Sequence, residues 1–280
     1  MRRKGNRDMQ FSHDNQRGRM RCGLFAILFL TLALMMAVPC MAAKKNTFVK
    51  KSGKYYYYNE KGKKAKGLTK IGSKTYYFDS SGVQRTSWRL IDGYYYCFRS
   101  GNGAKGYMYK STWVDGIYVN KKGRATGSGD ATRKLRVMAK AALIVDSVIS
   151  PAAAKADKRQ TMFTYTMKHY KNVVIPDLVR GQEHWDVAYA EYLFNRGAGD
   201  CYAFAAGYAY FMNAIGYQGV TMEHSGTHAW VHWGDYYYDP HWATSYGSSI
   251  SYHVPEYLSG VGGRPHWAEI LISMREIDEF

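Results

Sequence analysis

A cysteine, a histidine and an aspartate in the last third of the chain have the types and the order that nucleophilic acyl chemistry requires. Cys201 follows Gly197-Ala-Gly-Asp200 and opens a stretch in which Phe204, Ala205, Tyr208, Phe211, Met212 and Ile215 recur at helical spacing. Asp200 is a natural N-cap and Gly216 a natural left-handed stop, so this spacing predicts a helix that begins at Cys201 with one buried face. A thiol at the first position of a helix meets unpaired backbone N–H groups and the positive end of the helix dipole, both of which favour the thiolate. Gly197 and Gly199 let backbone approach closely, as a substrate-binding loop needs.

The segment from Gly226 to Pro240 reads as a hairpin about Gly234-Asp235. If Trp233 pairs with Tyr236, Trp230 lies opposite Asp239 and His228 opposite His241. His228 and Asp239 are then diagonal neighbours on one face, where the carboxylate can accept the imidazole Nδ1–H and fix its tautomer. His224, His228 and His232 are four residues apart, a spacing that shares a face only on a helix. The surrounding glycine, aromatic and valine residues point to strand, so no metal set is read here and no cofactor motif is present. Cys97 reads as an inert thiol, and a Cys97–Cys201 disulfide is set aside because it would disable the nucleophile.

The elements that must carry these residues are mostly helical. Leu135, Met138, Ala142, Val145 and Ile149 give an amphipathic helix over 131–149. A second helix, capped by Asp157, runs through about Tyr170 with Met162, Phe163, Thr166 and Tyr170 inward. A third, over about 184–194, shows Trp185, Ala188, Tyr189 and Tyr192. After Gly216 the chain turns to strands, the first over 217–223.

Charge divides the chain. Of the 280 residues, 39 are Lys or Arg and 22 Asp or Glu, a formal net charge of +17. Residues 43–129 hold 19 Lys and Arg against 4 acidic residues, a net of +15, whereas residues 130–280 hold 13 against 16. The change falls at the small-residue stretch 125–129, which reads as a linker. The basic half also repeats at a spacing of 20 residues, from Tyr56 to Tyr76 and from Gly62 to Gly82. Gly53-Lys-Tyr-Tyr-Tyr-Tyr, Ser73-Lys-Thr-Tyr-Tyr-Phe, Gly93-Tyr-Tyr-Tyr-Cys-Phe and Gly116-Ile-Tyr-Val each read as an aromatic strand followed by a glycine turn and a short second strand. Lone hairpins are marginal in water, so they must stack.

These units resemble the cell-wall-binding repeats of Gram-positive surface proteins, of the choline-binding and glucan-binding type. Trp113-Val-Asp-Gly-Ile-Tyr-Val-Asn-Lys-Lys-Gly-Arg-Ala-Thr-Gly127 follows that pattern, and Lys66-Gly-Leu-Thr-Lys-Ile-Gly72 follows it with Leu68 where Trp is usual. The resemblance implies attachment to an anionic wall polymer, teichoic acid or a peptidoglycan-associated glycan, with Trp88, Trp113, Tyr76, Tyr77 and Tyr95 as candidate contacts. Such a polymer also suits the basic charge, and nucleic acid is not read as a partner.

Gly199-Asp-Cys201, His228-Ala-Trp230 and Tyr237-Tyr-Asp239-Pro resemble the three motifs of the transglutaminase-like superfamily. The resemblance implies a papain-like α+β domain, with Cys201 as nucleophile, His228 as general base then acid, and Asp239 as orienting carboxylate. For the oxyanion donor the Cys201 amide and Asn195, six residues before the nucleophile, are candidates, with Gln182 and Trp185 as rivals.

Residues 1–22 are basic and 23–38 are mostly apolar with no charge, an export signal with cleavage after Ala42 or Ala43, or else an uncleaved membrane anchor. The expected layout is therefore 1–43 export segment, 44–129 hairpin-repeat solenoid and 130–280 papain-like domain. The expected activity is secreted, wall-associated cysteine chemistry on an amide of a peptide or protein. The alternatives are a crosslinking transglutaminase and an inactive surface scaffold.

Overall fold

The computed structural model describes residues 44–180, 182–224, 227–248, 251–255 and 273–276, and for 254–255 and 273–276 the backbone alone. The export segment expected over 1–43 lies outside the described residues. No helix among the described residues is long and apolar enough to cross a membrane.

The basic half is a run of antiparallel hairpins: β1 (Thr47–Lys51) with β2 (Lys54–Tyr58), β3 (Gly67–Ile71) with β4 (Lys74–Phe78), β6 (Ser87–Ile91) with β7 (Tyr94–Phe98), and β8 (Thr112–Val114) with β9 (Ile117–Val119). A short β5 (Gln84–Arg85) joins β4. The tight turn precedes the aromatic strand rather than following it. At Ser52-Gly53, Asp92-Gly93 and Asp115-Gly116 both central residues have positive φ. That is the backbone that matches the twist of two antiparallel strands, and glycine adopts it at the second position without strain. The second glycine of each expected unit closes a different loop. Asn59, Asp79 and Asn120 each accept two backbone N–H bonds from residues two and four positions on, which folds the chain back along the aromatic strand. Alternation then buries Tyr76 and Phe78 with Phe48 and Tyr57, and Tyr96 and Phe98 with Ile91 and Met108.

The second half holds α1 (Asp130–Val148), α2 (Lys155–His169), α3 (Trp185–Arg196), α4 (Cys201–Ile215) and α5 (Trp242–Tyr246). Its main sheet is antiparallel, in the order β15-β14-β13-β12-β16, from β12 (Thr221–His224), β13 (Ala229–Trp233), β14 (Tyr236–Tyr238), β15 (Val254–Pro255) and β16 (Ser273–Glu276). The parallel pair β10 (Lys171–Asn172) and β11 (Ala198–Gly199) ties the end of α2 to the loop before Cys201. The helices expected from periodicity are present. The cap of α2 differs: Ala154 stands at the N-cap and Asp157 falls in the first turn.

The helix α4 is buried on every side from Cys201 to Ala214, not on one face as its spacing predicts. It packs against α1, α2, α3 and β13. A helix with alanine, glycine and aromatic residues all round has no polar face to turn to water, so it sits at the centre.

Across the composition change at 125–129 the hydrophobic core is continuous. Trp88, Cys97, Ile117 and Val119 of the hairpins pack in the same cluster as Leu135, Met138 and Phe211. Polar contacts follow the same line. Asp115 accepts from Trp88 Nε1 at 2.6 Å and from Asn213 Nδ2 of α4 at 3.1 Å. Asp146 of α1 pairs with Arg89 at 2.7 Å and with Arg85 at 3.2 Å.

Arg89 is buried and Asp146 is its counter-charge. Desolvation pulls the Arg89 pKa below its ordinary value, and the Asp146 carboxylate works against that pull. Asp146→Ala strands this cation, and breaking a buried pair from one side typically costs about 3 kcal/mol or more. Urea unfolding of Asp146→Ala is expected to show that loss, with Arg89→Met/Asp146→Ala recovering much of it. A single variant as stable as the wild type would show that this pair does not couple the hairpins to α1.

Candidate functional site

The site is assembled where α4 begins. Asp200 is the N-cap, and its Oδ1 accepts from the amides of Tyr202 at 3.1 Å and Ala203 at 3.3 Å. The cap leaves the Cys201 amide as the first-turn donor it does not reach. Cys201 is a free thiol whose Sγ donates to the Thr227 carbonyl at 3.7 Å. That contact brings the β12–β13 connection onto the start of α4. Cys97 is also free, buried in the hairpin core, and burial pushes its thiol well up.

The register of the β13–β14 hairpin is Val231↔Tyr238, His232↔Tyr237 and Trp233↔Tyr236. One further step places Trp230 opposite Asp239 and makes His228 the diagonal neighbour of Asp239, as the sequence predicts. His228 Nε2 stands 2.5 Å from Asp239 Oδ2. The nitrogen differs from the expected Nδ1, because Nε2 lies farther from the backbone and spans the diagonal. The imidazole is also in contact with Cys201. Asp239 is held from its other side, since Oδ1 accepts the Trp242 amide at 2.8 Å and its own N–H donates to Ser251 O at 2.7 Å. Trp230, His241 and Trp242 surround the imidazole at centroid distances of 6.1, 5.7 and 5.8 Å.

Burial alone would disfavour the imidazolium. The Asp239 charge and hydrogen bond, with the contact to Cys201, outweigh it and push His228 up to about 10. At neutral pH the ring is therefore protonated, between the carboxylate and the sulfur. Neighbouring His241 moves the other way: burial lowers it, reinforced by the charge on His228 and opposed by Asp239 and Asp200.

The other histidines have separate partners. His224 Nδ1 meets Tyr202 OH at 3.1 Å, and His232 Nδ1 pairs with Glu223 at 2.8 Å while Trp230 Nε1 donates to the same carboxylate at 2.9 Å. Asn195, the oxyanion candidate, is misplaced for that role. It lies exposed near the end of α3 and accepts from Lys140 of α1 at 3.2 Å. Counting six residues back from Cys201 crosses the left-handed Gly197 and the short β11, so the offset does not carry that side chain to the sulfur. Gln182 is exposed, and Trp185 is buried edge-on against Tyr202 at 5.1 Å. A residue without any periodic signal takes the vacant role of cation near the thiol. Arg180, in the loop before α3, reaches Asp200 Oδ2 at 3.4 Å and lies 5.3 Å from the Tyr202 ring centroid, over both sequence neighbours of Cys201. Trp242, whose amide Asp239 binds, was missed as well, although its place three residues after an Asp is a signal that counting could have used.

Of the five wall-contact candidates, four pack against the cores. Trp88 is wholly buried, Tyr76 is buried with its OH donating to Ala104 O at 3.0 Å, Tyr77 stacks on Phe98, and Tyr95 packs against the helical core. Trp113 is 69% exposed and meets Tyr118 edge-on at 5.6 Å. Strand alternation sends one aromatic in two inward, and composition cannot say which.

Residues 65–113 match the family model of the choline-binding repeat. The hairpin half is thus of the cell-wall-binding repeat type. Among solved structures, CbpJ from Streptococcus pneumoniae TIGR4 is 28% identical over 29% of this chain and 26% of its own, with a TM-score of 0.26. The choline-binding domain of Spr1274 from Streptococcus pneumoniae is 25% identical over 31% of this chain and 100% of its own, with a TM-score of 0.27. The modular Cpl-1 endolysin, complexed with a peptidoglycan analogue, is 26% identical over 30% of this chain and 25% of its own, with a TM-score of 0.22. The chain thus spans about a quarter of CbpJ and of Cpl-1. No curated protein matches it.

The electrostatics of the site can be read directly. Asp239→Asn removes the leading cause of the raised His228 pKa, so its titration, followed by imidazole NMR, is expected to fall from about 10 towards the ordinary value near 6.5. The linkage has a definite sign. A folded-state pKa above the unfolded one contributes stability that is fully present below about pH 6.5 and is lost as pH rises through about 10. The wild type is expected to lose stability over that window and Asp239→Asn to lose less. Equal slopes would show that the pair is not ionised as described.

Proposed function

We propose that the chain is an exported, wall-associated cysteine acyl hydrolase of the transglutaminase-like, papain-like kind, with Cys201, His228 and Asp239 as its triad. The observation that carries this reading is that one imidazole contacts Cys201 and, through Nε2, Asp239, with the sulfur at the first residue of a buried helix. A cysteine-bearing helix against an antiparallel sheet that supplies histidine and aspartate supports the papain-like assignment. The choline-binding repeat match supports the wall anchor.

In this mechanism the Cys201 thiol gives its proton to His228, forming the thiolate–imidazolium pair, and the thiolate attacks the amide carbonyl carbon. The developing oxyanion meets the Cys201 amide and the positive end of α4. As the carbon–nitrogen bond breaks, His228 gives its proton to the leaving amine. The neutral imidazole then takes a proton from water, the hydroxide attacks the thioester carbonyl, and the carbon–sulfur bond breaks to restore thiolate and imidazolium. Asp239 keeps the ring oriented and favours its protonated form. An amine in place of water at the second step would give transfer. Water is the simpler acceptor, and the peptide or protein substrate is of the kind a wall-held enzyme meets.

Cys201→Ser is expected to abolish turnover of wall stem peptides without a change in melting temperature, because a helix start accepts Ser as readily as Cys. His228→Ala should lose about 10²–10⁴-fold, and Asp239→Asn less. Iodoacetamide should label Cys201 fast at neutral pH, and slowly in His228→Ala. A trapped thioester found by mass spectrometry after incubation with stem peptides would identify the acyl donor. Slow labelling indifferent to His228 would instead favour a scaffold built on this fold.

A further inference from the structure

Cations of the hairpin half gather on a single tyrosine. Lys74 Nζ lies 4.2 Å from the centroid of Tyr107, and the Arg99 guanidinium carbon lies 4.6 Å from the same centroid and 4.3 Å from that of Tyr109. Lys110 Nζ is 3.4 Å from Thr75 Oγ1, and the Met108 amide donates to Thr75 O at 2.8 Å, so residues 74–75 and 107–110 run side by side. Lys74 and Lys110 are exposed.

None of these three cations has a carboxylate partner among the described residues. The acidic side chains of this half are committed elsewhere or stand at turns. Asp79 pairs with Arg85, Asp115 accepts from Trp88 and Asn213, and Glu60 and Asp92 lie exposed in tight turns. Arg99 Nε is buried with no hydrogen-bond partner among the described residues. Three like charges on adjacent segments repel unless something neutralises them. Ring faces attract a cation but do not cancel its charge, so what the cluster lacks is an anion. Recognition of a quaternary ammonium needs open aromatic faces closing round it. Here the rings are already covered from within, and the same holds for Tyr94 under Arg124 at 3.6 Å and Tyr56 under Lys64 at 4.2 Å.

We propose that Lys74, Arg99 and Lys110 form a phosphodiester-binding site through which the repeats grip an anionic wall polymer, and that Tyr107 and Tyr109 hold these cations in place rather than receive a quaternary ammonium. The proposal rests on the wall-anchor reading and gives it a ligand chemistry. Arg and Lys suit this task differently: the guanidinium stacks and offers a fork of donors, and the two ammonium groups supply mobile point charges.

The probe is poly(glycerol phosphate), free of choline, titrated into the full chain by calorimetry. Lys74→Gln/Lys110→Gln is expected to weaken binding about tenfold or more, the loss typical of a charge-assisted contact. Its thermal unfolding should be unchanged, since both side chains are exposed. Arg99→Gln should weaken binding by a similar factor. Pyrophosphate should displace the polymer and choline should not. The site is overturned if the double variant binds within twofold of the wild type, or if choline displaces the polymer as well as pyrophosphate does. Sedimentation with isolated walls separates the two levels. A chain that binds the polymer through these residues but does not sediment with walls would support the site and sink the anchoring role.

Discussion

The burial of α4 on all sides is the constraint on which the rest depends. A helix with no polar face can be accommodated only if other elements surround it, and here α1, α2, α3 and β13 do so. Such a helix satisfies its interior backbone groups itself and exposes unpaired donors only at its N-terminus. Asp200 takes two of them and Cys201 sits beside the third. The candidate nucleophile and the structural keystone are thus one place: the element that organises the core also presents the sulfur at its first turn.

The sheet completes the site by register. One diagonal step of an antiparallel hairpin brings His228 to Asp239, and a slip of one residue would send the histidine to the opposite face. The carboxylate is then fixed twice, by the imidazole and by the first turn of α5. A charge pair so deeply placed raises the histidine well above its ordinary range although burial opposes it. Low local polarity strengthens the attraction between the pair while it penalises either partner alone.

The hairpin half has small cores of its own and shares a larger one with the helices. Its later hairpins complete the cover over α1 and α4 through Trp88, Ile117 and Val119, and polar contacts at Asp115 and Asp146 cross the same boundary. Aromatic strands have two tasks there. Alternate rings make the interior, and the others carry lysine and arginine on their faces. Five cations of this half, Lys50, Lys64, Lys74, Arg99 and Arg124, lie over ring faces in this way.

Much was legible in the residues alone, for identifiable reasons. Periodicity of 3.6 and of 2 gave the helices and the hairpins, since each records which face is buried. The cap at Asp200, the stop at Gly216 and the tight turn at Gly234 are local backbone chemistry, so Cys201 at a helix start and the diagonal of His228 and Asp239 could be derived by counting. Counting failed where the chain bends between elements. Asn195 was carried the wrong way by the turn at Gly197, and the histidine nitrogen that meets the carboxylate depended on a reach that spacing does not contain. Which tyrosines face inward, that Trp88 is interior while Trp113 is open, and that Arg180 approaches the thiol were decided by packing between segments far apart in sequence. Sequence by itself determined the local elements and the residue types available for chemistry, because those follow from neighbours along the chain. Tertiary structure decided which of those residues meet, because that depends on how a helix buried on every side orders everything around it.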